Sequence, residues 1–214
     1  KEASRYLLDS GCIDNMQDRL ADLAVDLPTT TAGIPPDTSP YVFSHELNAL
    51  ISDNSEEPAS VYYTWNDVLR SETATRLGIE NIPIAEAEEK TLVHIIEHII
   101  QPFQAWFDSS NDLYVYITSG YRSPELNKHI PGADENSQHM RGQAIDFVLV
   151  GLTHDETASS FDQFLLEENI EFDQFIKEES WIHISCNPAG TNRMQRLASY
   201  KENGETKYTE IRYA

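Results

Sequence analysis

The stretch Ser137-Gln-His-Met-Arg-Gly-Gln-Ala-Ile-Asp146 decides how this chain is organised. It places His139 and Asp146 seven residues apart, with Gly142 between them. The aspartate lies inside an apolar run that continues to Val150, and short apolar runs of this kind are typical of strands. Because glycine allows a tight backbone turn, the segment predicts a turn that bears a histidine and leads into a strand that bears an acid.

A second segment, Trp181-Ile-His183-Ile-Ser185-Cys, has the alternation of a strand. Two-residue periodicity puts Asp146 and His183 on the polar sides of their strands, because the residues that flank them are apolar. Together with His139 they form one aspartate and two histidines, a set that suits zinc with an open fourth position. The alternative is a solvated sheet face with unrelated polar residues, since periodicity shows where a side chain points and not what it binds.

These motifs resemble the zinc peptidases that cut D-alanine-containing peptidoglycan peptides. That family includes D-Ala-D-Ala carboxypeptidases and dipeptidases, and L-alanyl-D-glutamate endopeptidases of phage endolysins. The resemblance covers residues 61–210. The segments that carry it are Thr118-Ser-Gly-Tyr-Arg122-Ser-Pro-Glu-Leu-Asn127, Ser137-x-His139-x-x-Gly142-x-Ala144-x-Asp146, Trp181-x-His183-x-Ser185 and Asn192-Arg-Met-Gln-Arg-Leu.

The resemblance implies an α+β fold of the hedgehog/DD-peptidase kind, with a small antiparallel sheet and helices packed on one face. It implies Zn2+ as the cofactor and a peptidoglycan peptide as the partner. A guanidinium offers a fixed fork for a carboxylate, which suits Arg122 to substrate binding, although a structural salt bridge is the alternative for any arginine in so acidic a chain. The implied roles are zinc ligation by His139, Asp146 and His183, and substrate binding by Arg122, Ser137 and Gln138.

The general base is where this sequence departs from the pattern. Many relatives have a carboxylate three residues before the last zinc histidine, and here that position is Ser180. Glu178 and Glu179 are the two candidates that remain. Glu178 matches a Gln-x-Ile-x-Glu pattern of the family, whereas even spacing favours Glu179 if the strand of His183 extends back that far. A solvated acidic turn is the alternative for both.

The expected function is hydrolysis of an amide bond in peptidoglycan stem peptides, by a carboxypeptidase or an endopeptidase. The Ser180 departure keeps a second hypothesis open: a weak or inactive peptidase-like domain that serves as a structural or wall-binding part of a larger assembly, such as a phage particle. The expected place of action is the bacterial cell wall, or a phage particle that carries the enzyme there. Because the chain begins at Lys1 and not at Met, we allow for a preceding segment.

The composition sets further bounds. The chain has 15 Lys and Arg against 36 Asp and Glu, a net charge of -21, which argues against nonspecific nucleic-acid binding. Like charge also repels an anionic cell wall at long range. A tethered or assembly-bound enzyme tolerates this repulsion. The alternative is that the acidic charge only keeps the protein soluble.

No apolar run is long enough to span a membrane. Cys12 and Cys186 are too few for a disulfide framework, and alternation predicts a buried free thiol at Cys186.

The chain divides into residues 1–60, an N-terminal extension with an amphipathic helix and a Pro/Thr-rich linker, and residues 61–214, the peptidase-like domain. The extension is a possible docking arm for a protein partner.

A long helix is predicted over residues 85–107, with a disturbance at Pro102. It contains His94-Ile-Ile-Glu97-His98, which fits another metallopeptidase pattern. The two histidines lie away from the apolar stripe, so we predict surface histidines there.

Overall fold

The computed structural model of this chain describes residues 62–107 and 113–212. The predicted helix and linker of the N-terminal extension lie outside the described residues. The helices are α1 Trp65–Leu69, α2 Glu72–Leu77, α3 Glu86–Ile95, a π-helical turn Ile96–Ile100, α4 Gln101–Trp106, α5 Pro124–Asn127, a 3-10 turn Gln138–Arg141 and α6 His154–Glu167. The strands are β1 Tyr114–Ser119, β2 Ala144–Val150, β3 Gln174–Lys177, β4 Ile182–Ser185, β5 Gln195–Glu202 and β6 Glu205–Glu210.

The six strands form one sheet in the order β1-β2-β4-β3-β5-β6. Every pair of neighbours is antiparallel except β3 with β5. The register sets Asp146 opposite His183, and His183 opposite Ile176 on the far side of β4. Directly opposed residues of an antiparallel pair share a face, so these three side chains lie on the same side of the sheet. The predicted α+β class is confirmed.

The other face of the sheet holds the core. A cluster of aromatic rings joins helices to strands there, with Phe103 of α4 packed against Phe147 of β2 and Phe161 of α6. Fully removing such side chains from water stabilises a fold by about 1.5–3 kcal/mol each. Strand alternation and helix periodicity in the sequence predict that six side chains are buried. All six are buried in the structure, namely Ile95, Ile99, Ile145, Phe147, Ile182 and Ile184.

The long helix predicted over residues 85–107 is present, with an irregular middle. A π-helical turn, Ile96–Ile100, separates α3 from α4, and Pro102 follows in the first turn of α4. Proline cannot donate to the carbonyl four residues earlier, and its ring crowds that carbonyl. The carbonyl concerned belongs to His98, so the wider turn lies where the proline disturbs the ladder. Among the described residues, none of the helices has the length and apolar character needed to cross a bilayer.

The chain closes with a hairpin of β5 and β6. Asn203 and Gly204 form its turn with φ of 54° and 84°. Two positive φ values are what a two-residue turn of the type favoured in hairpins requires, and Asn-Gly is the preferred pair for it. The Asn-Gly dipeptide in the sequence thus predicts the hairpin that β5 and β6 form. The hairpin adds two strands to the sheet beyond β3 and extends the polar face that carries Asp146 and His183.

Candidate metal centre

Three separate elements bring the predicted ligands together. His139 comes from the 3-10 turn, Asp146 from β2 and His183 from β4. One potential ligand atom from each residue lies within 4.8 Å of the other two. Within the described ranges this is the one group of three or more histidine, cysteine or acidic side chains with such spacing. The fold therefore turns a sequence pattern into a compact set of donors.

The two histidines contact different oxygens of the Asp146 carboxylate. Nδ1 of His183 lies 2.8 Å from Oδ1 of Asp146, and Nε2 of His139 lies 3.4 Å from its Oδ2. The imidazole rings are 5.3 Å apart between centroids and inclined by 65°. His139 and Asp146 are 5% and 8% exposed, so the donors lie in the floor of the site and not on open surface. Two nitrogens and a carboxylate arranged in this way fit a Zn2+ ion.

A backbone carbonyl fixes the orientation of His139. Its Nδ1 lies 2.7 Å from the carbonyl oxygen of Gly120. A carbonyl oxygen can only accept, so Nδ1 carries a proton, and Nε2 is the nitrogen that remains available to a metal. A hydrogen bond from the far nitrogen of the ring to a backbone oxygen selects the tautomer that a metal requires and raises the basicity of the ligand.

The turn between the first two ligands depends on Gly142. Its φ is 64°, and it ends the 3-10 turn that carries His139. A Cβ at this position lies only 2.2 Å from the carbonyl oxygen of Glu88 in α3. Glycine is therefore required twice, for the backbone angle and for the close approach of α3.

The electrostatics of Asp146 suit a cation site. Burial alone raises the pKa of this carboxyl, but the imidazoles of His139 and His183 outweigh it and hold the pKa well below its usual range. The group is therefore a carboxylate at neutral pH. A buried anion needs positive partners, and a metal ion held between these donors meets that need.

A cleft of about 330 Å³ opens beside the three donors. Asp146, Arg122 and Trp181 are among its lining residues, together with Ser180 and the segment from Arg70 to Thr73. Ligand pockets commonly have volumes of about 300–1,000 Å³, so this one is large enough for a short peptide segment. One of the three candidate donors, Asp146, thus lies at the wall of a ready-made binding space.

Arg122 is held in this cleft by neutral partners. Its Nη1 donates to Oδ1 of Asn127 at 3.3 Å and its Nη2 to Oγ of Ser119 at 3.5 Å. Burial lowers the pKa of the guanidinium and nearby Asp146 raises it, with a net lowering. Both hydrogen-bond acceptors are uncharged, so these contacts orient the guanidinium without neutralising it. The predicted substrate carboxylate is a suitable partner for it.

Sequence reasoning missed Asn81, which positions the arginine segment. Its Nδ2 donates to the carbonyls of Leu69 at 2.6 Å and Tyr121 at 3.0 Å, and its Oδ1 accepts from the Ser123 amide at 2.7 Å. The asparagine thereby binds the backbone on both sides of Arg122. The sequence shows only an asparagine among several isoleucines. This pattern does not indicate which backbone groups the side-chain amide binds.

The other two predicted substrate ligands lie near the site but are engaged elsewhere. Nε2 of Gln138 donates to Oδ2 of Asp173 at 2.9 Å, and Asp173 also accepts from the Arg193 guanidinium. Ser137 is half-buried, and its amide donates to the carbonyl of Asp134 at 3.1 Å. The roles of both residues in peptide binding stay predictions.

Both candidate bases lie in the turn between β3 and β4, and they differ in their surroundings. Glu178 follows the last residue of β3, and its amide donates to the carbonyl of Trp181 at 3.0 Å, so the pairing with β4 continues one step beyond the strand. Glu178 therefore keeps the face of Ile176, which is the face of the sheet that carries Asp146 and His183. β4 begins only at Ile182, so the condition that favoured Glu179 is not met. Glu179 is exposed, with its carboxylate 3.5 Å from Nζ of Lys201. Glu178 is the better placed of the two, and Ser180 lines the cleft without offering a carboxylate.

The other four histidines among the described residues lie outside the site. His94 and His98 stack with ring centroids 4.1 Å apart, and burial together with His98 lowers the pKa of His94. His98 and His129 are exposed. His154 is half-buried, with Nε2 2.7 Å from the carbonyl oxygen of Glu178. The prediction that His94 and His98 are surface groups agrees with this arrangement.

A buried aspartate between two histidines, at the wall of a cleft that carries an arginine, is the kind of centre that metal-dependent hydrolases use. The family model described as Peptidase M15 matches residues 61–185, more than half of the chain, and the chain belongs to this family. Members are metal-dependent peptidases, typically with zinc. All three donors lie inside the matched range. A comparison with curated proteins finds no match to this sequence.

Proposed function

We propose that this chain is a zinc peptidase that hydrolyses an amide bond in peptidoglycan stem peptides. The observation that carries the proposal is the convergence of His139, Asp146 and His183 beside a cleft lined by Arg122. Stem peptides combine amide bonds with free carboxylates, so they present both a bond to cut and an anion for a guanidinium to hold. The cell wall, or a phage particle that delivers the enzyme to it, is the proposed place of action.

The three donors would hold zinc, which supplies a Lewis acid for the scissile carbonyl and makes water a better nucleophile near neutral pH. Glu178 would accept a proton from the attacking water as the new C–O bond forms. It would return that proton to the amide nitrogen as the C–N bond breaks, so that a carboxylate and an amine leave. Arg122 would fix the register of the peptide by binding its carboxylate.

The first experiment measures zinc content and digests purified peptidoglycan, with mass spectrometry of the released peptides. Wild-type protein should bind zinc and release defined fragments, whose masses identify the bond that is cut. Asp146→Asn should lose both zinc and cleavage. His98→Ala is the matched control because it removes a histidine outside the centre, and it should retain both. Absence of zinc after reconstitution of the wild type refutes the three-ligand site.

A second experiment assigns the base. Glu178→Gln should lower kcat by about 100-fold or more, the usual contribution of a general base, with zinc content unchanged. Glu179→Gln is the control and should leave kcat within about twofold, because its carboxylate faces Lys201. A carboxylate introduced by Ser180→Asp should partly restore the activity of the Glu178→Gln variant, since Ser180 and Asp146 line the same cleft. A larger loss in Glu179→Gln than in Glu178→Gln overturns this assignment.

The position of Ser180 favours one alternative. A cleft that has a serine where many relatives have a carboxylate suits a weak or inactive peptidase that binds wall peptides as part of a larger assembly. In that case the wild type binds zinc and a stem peptide but releases no fragments. Calorimetric titration with a stem peptide, compared between wild type and Arg122→Ala, distinguishes this binding role from loss of the site.

A further inference from the structure

The face of the sheet that carries Asp146 and His183 extends beyond these two residues. Ile176 of β3 is paired with His183 on one side and with Leu197 of β5 on the other, so all three lie on this face. Ser199 follows Leu197 by two residues on the same strand and therefore shares the face. Ser199 is paired with Tyr208 of β6. Tyr208 therefore lies on the same face as Asp146 and His183, although it follows the matched range of the family model.

The surroundings of Tyr208 are unusual for an exposed aromatic residue. Its phenol lies beside the carboxylate of Glu178 and within electrostatic range of Asp146 and Asp134. Partial burial and then these three acids, Glu178 foremost, raise the pKa of the phenol. A protonated phenol is a hydrogen-bond donor, and carboxylates are acceptors, so the pairing is chemically matched.

Tyr200 shows what an ordinary tyrosine of this hairpin looks like. It is 43% exposed and is paired with Lys207, so it lies on the opposite face from Tyr208. Tyr208 is 50% exposed, which means that burial of an apolar ring does not explain its position. The difference between the two tyrosines is the acidic centre that only one of them faces.

We propose that Tyr208 is a positioning residue that holds the Glu178 carboxylate against the metal centre. This inference rests on the proposed function, in which Glu178 is the base. A glutamate side chain has several rotatable bonds, and ordering it costs up to about 2 kcal/mol of conformational free energy. A donor on a rigid ring, carried by a paired strand, limits that freedom before substrate binds.

The kinetic test compares Tyr208→Phe with Tyr200→Phe. Tyr208→Phe should lower kcat about tenfold, because a misplaced catalytic group loses rate without losing binding, and KM should change by less than about twofold. Tyr200→Phe should match wild type. In a Glu178→Gln background, Tyr208→Phe should have no further effect, since the residue acts through Glu178. Equal losses in both backgrounds, or an unchanged kcat, overturn the proposal.

A second test needs neither zinc nor turnover. In metal-free protein with 13C-labelled tyrosine, the Tyr208 signal is assigned by its loss in Tyr208→Phe, and its titration is followed by NMR. Glu178→Gln should lower the pKa of this phenol, because it removes the foremost of the three neighbouring acids. An unchanged titration overturns the contact itself. Lack of cleavage by zinc-loaded wild type overturns the proposed function and with it the catalytic role of Tyr208, whatever the titration shows.

Discussion

Gly142 lies between two of the candidate metal ligands in the sequence, and alanine at this position should disturb both the fold and the metal centre. Its φ of 64° lies in the left-handed region, where an L-residue with a Cβ is disfavoured by about 1–2 kcal/mol. The added Cβ would also lie 2.2 Å from the carbonyl oxygen of Glu88, which is backbone and cannot rotate away. Relieving such an overlap costs about 1–3 kcal/mol in a packed region.

Two other glycines allow the cost of the backbone angle and the cost of the steric overlap to be measured separately. Gly132 has a φ of 74°, and a Cβ added there would have no neighbouring atom within 4 Å, so Gly132→Ala tests the backbone angle alone. Gly120 has an ordinary φ, but a Cβ there lies 2.4 Å from the carbonyl oxygen of Val68, so Gly120→Ala tests the overlap alone. Gly142→Ala combines both terms and should destabilise by about 2–5 kcal/mol, their sum.

Thermal unfolding followed by circular dichroism measures these differences. A domain of this size loses about 2–4 °C of Tm per kcal/mol, so Gly132→Ala should melt a few degrees below wild type and Gly142→Ala on the order of 10 °C below it. Zinc affinity, measured by competition with a chelator, should fall about tenfold or more in Gly142→Ala, because the His139 ring shifts, and stay unchanged in Gly132→Ala. Equal melting and equal zinc affinity of these two variants refute the reasoning.

Three further outcomes are expected. Asn81→Ala removes three hydrogen bonds to buried backbone groups and should cost about 3 kcal/mol, seen as a lower denaturant midpoint, with KM raised because the arginine segment loosens. The Arg193 guanidinium lowers the pKa of the Asp173 carboxyl in the folded protein. The ionised carboxylate therefore stabilises the fold at pH values above about 4, the pKa of an aspartate in the unfolded chain, and this stabilisation is lost as the pH falls through the lower pKa of the folded state. The acid unfolding of Asp173→Asn should therefore depend less on pH than that of wild type. Replacing His94 and His98 together by alanine should leave zinc stoichiometry unchanged in an elemental assay, because a third donor is lacking beside them in the described part of the chain.

The faces of the strands could be predicted from the sequence, because side-chain direction alternates with a fixed period of two. That rule placed Asp146 and His183 on one side and their apolar neighbours on the other. It could not give the register that sets the two residues opposite each other, since register depends on which strands meet. Periodicity also gives no reason to place His139 beside Asp146 and His183. The resemblance to the peptidase motifs supplies that reason, since it implies that all three bind one metal ion.

Other parts of the site could not be predicted because their partners are distant in sequence. Gly142 was expected to form a turn, but its contact with Glu88 requires the packing of α3 on that turn. The choice between Glu178 and Glu179 depends on where β4 begins, and strand ends are poorly defined by alternation. Gln138 is next to a ligand in sequence, yet its amide meets Asp173 because the 3-10 turn directs it there.

The segment from Tyr63 to Asn81 contributes none of the metal donors, yet the cleft depends on it. Arg70 and its neighbours form one wall of the cleft, and the carbonyl of Val68 accepts the Tyr121 amide at 2.9 Å. Asn81 adds the bonds on both sides of Arg122. The proposed metal ligation and the proposed substrate recognition therefore rest on different parts of the chain. Changes in this segment should weaken peptide binding before they affect zinc, because the segment binds the backbone around Arg122 directly and contributes no candidate donor itself.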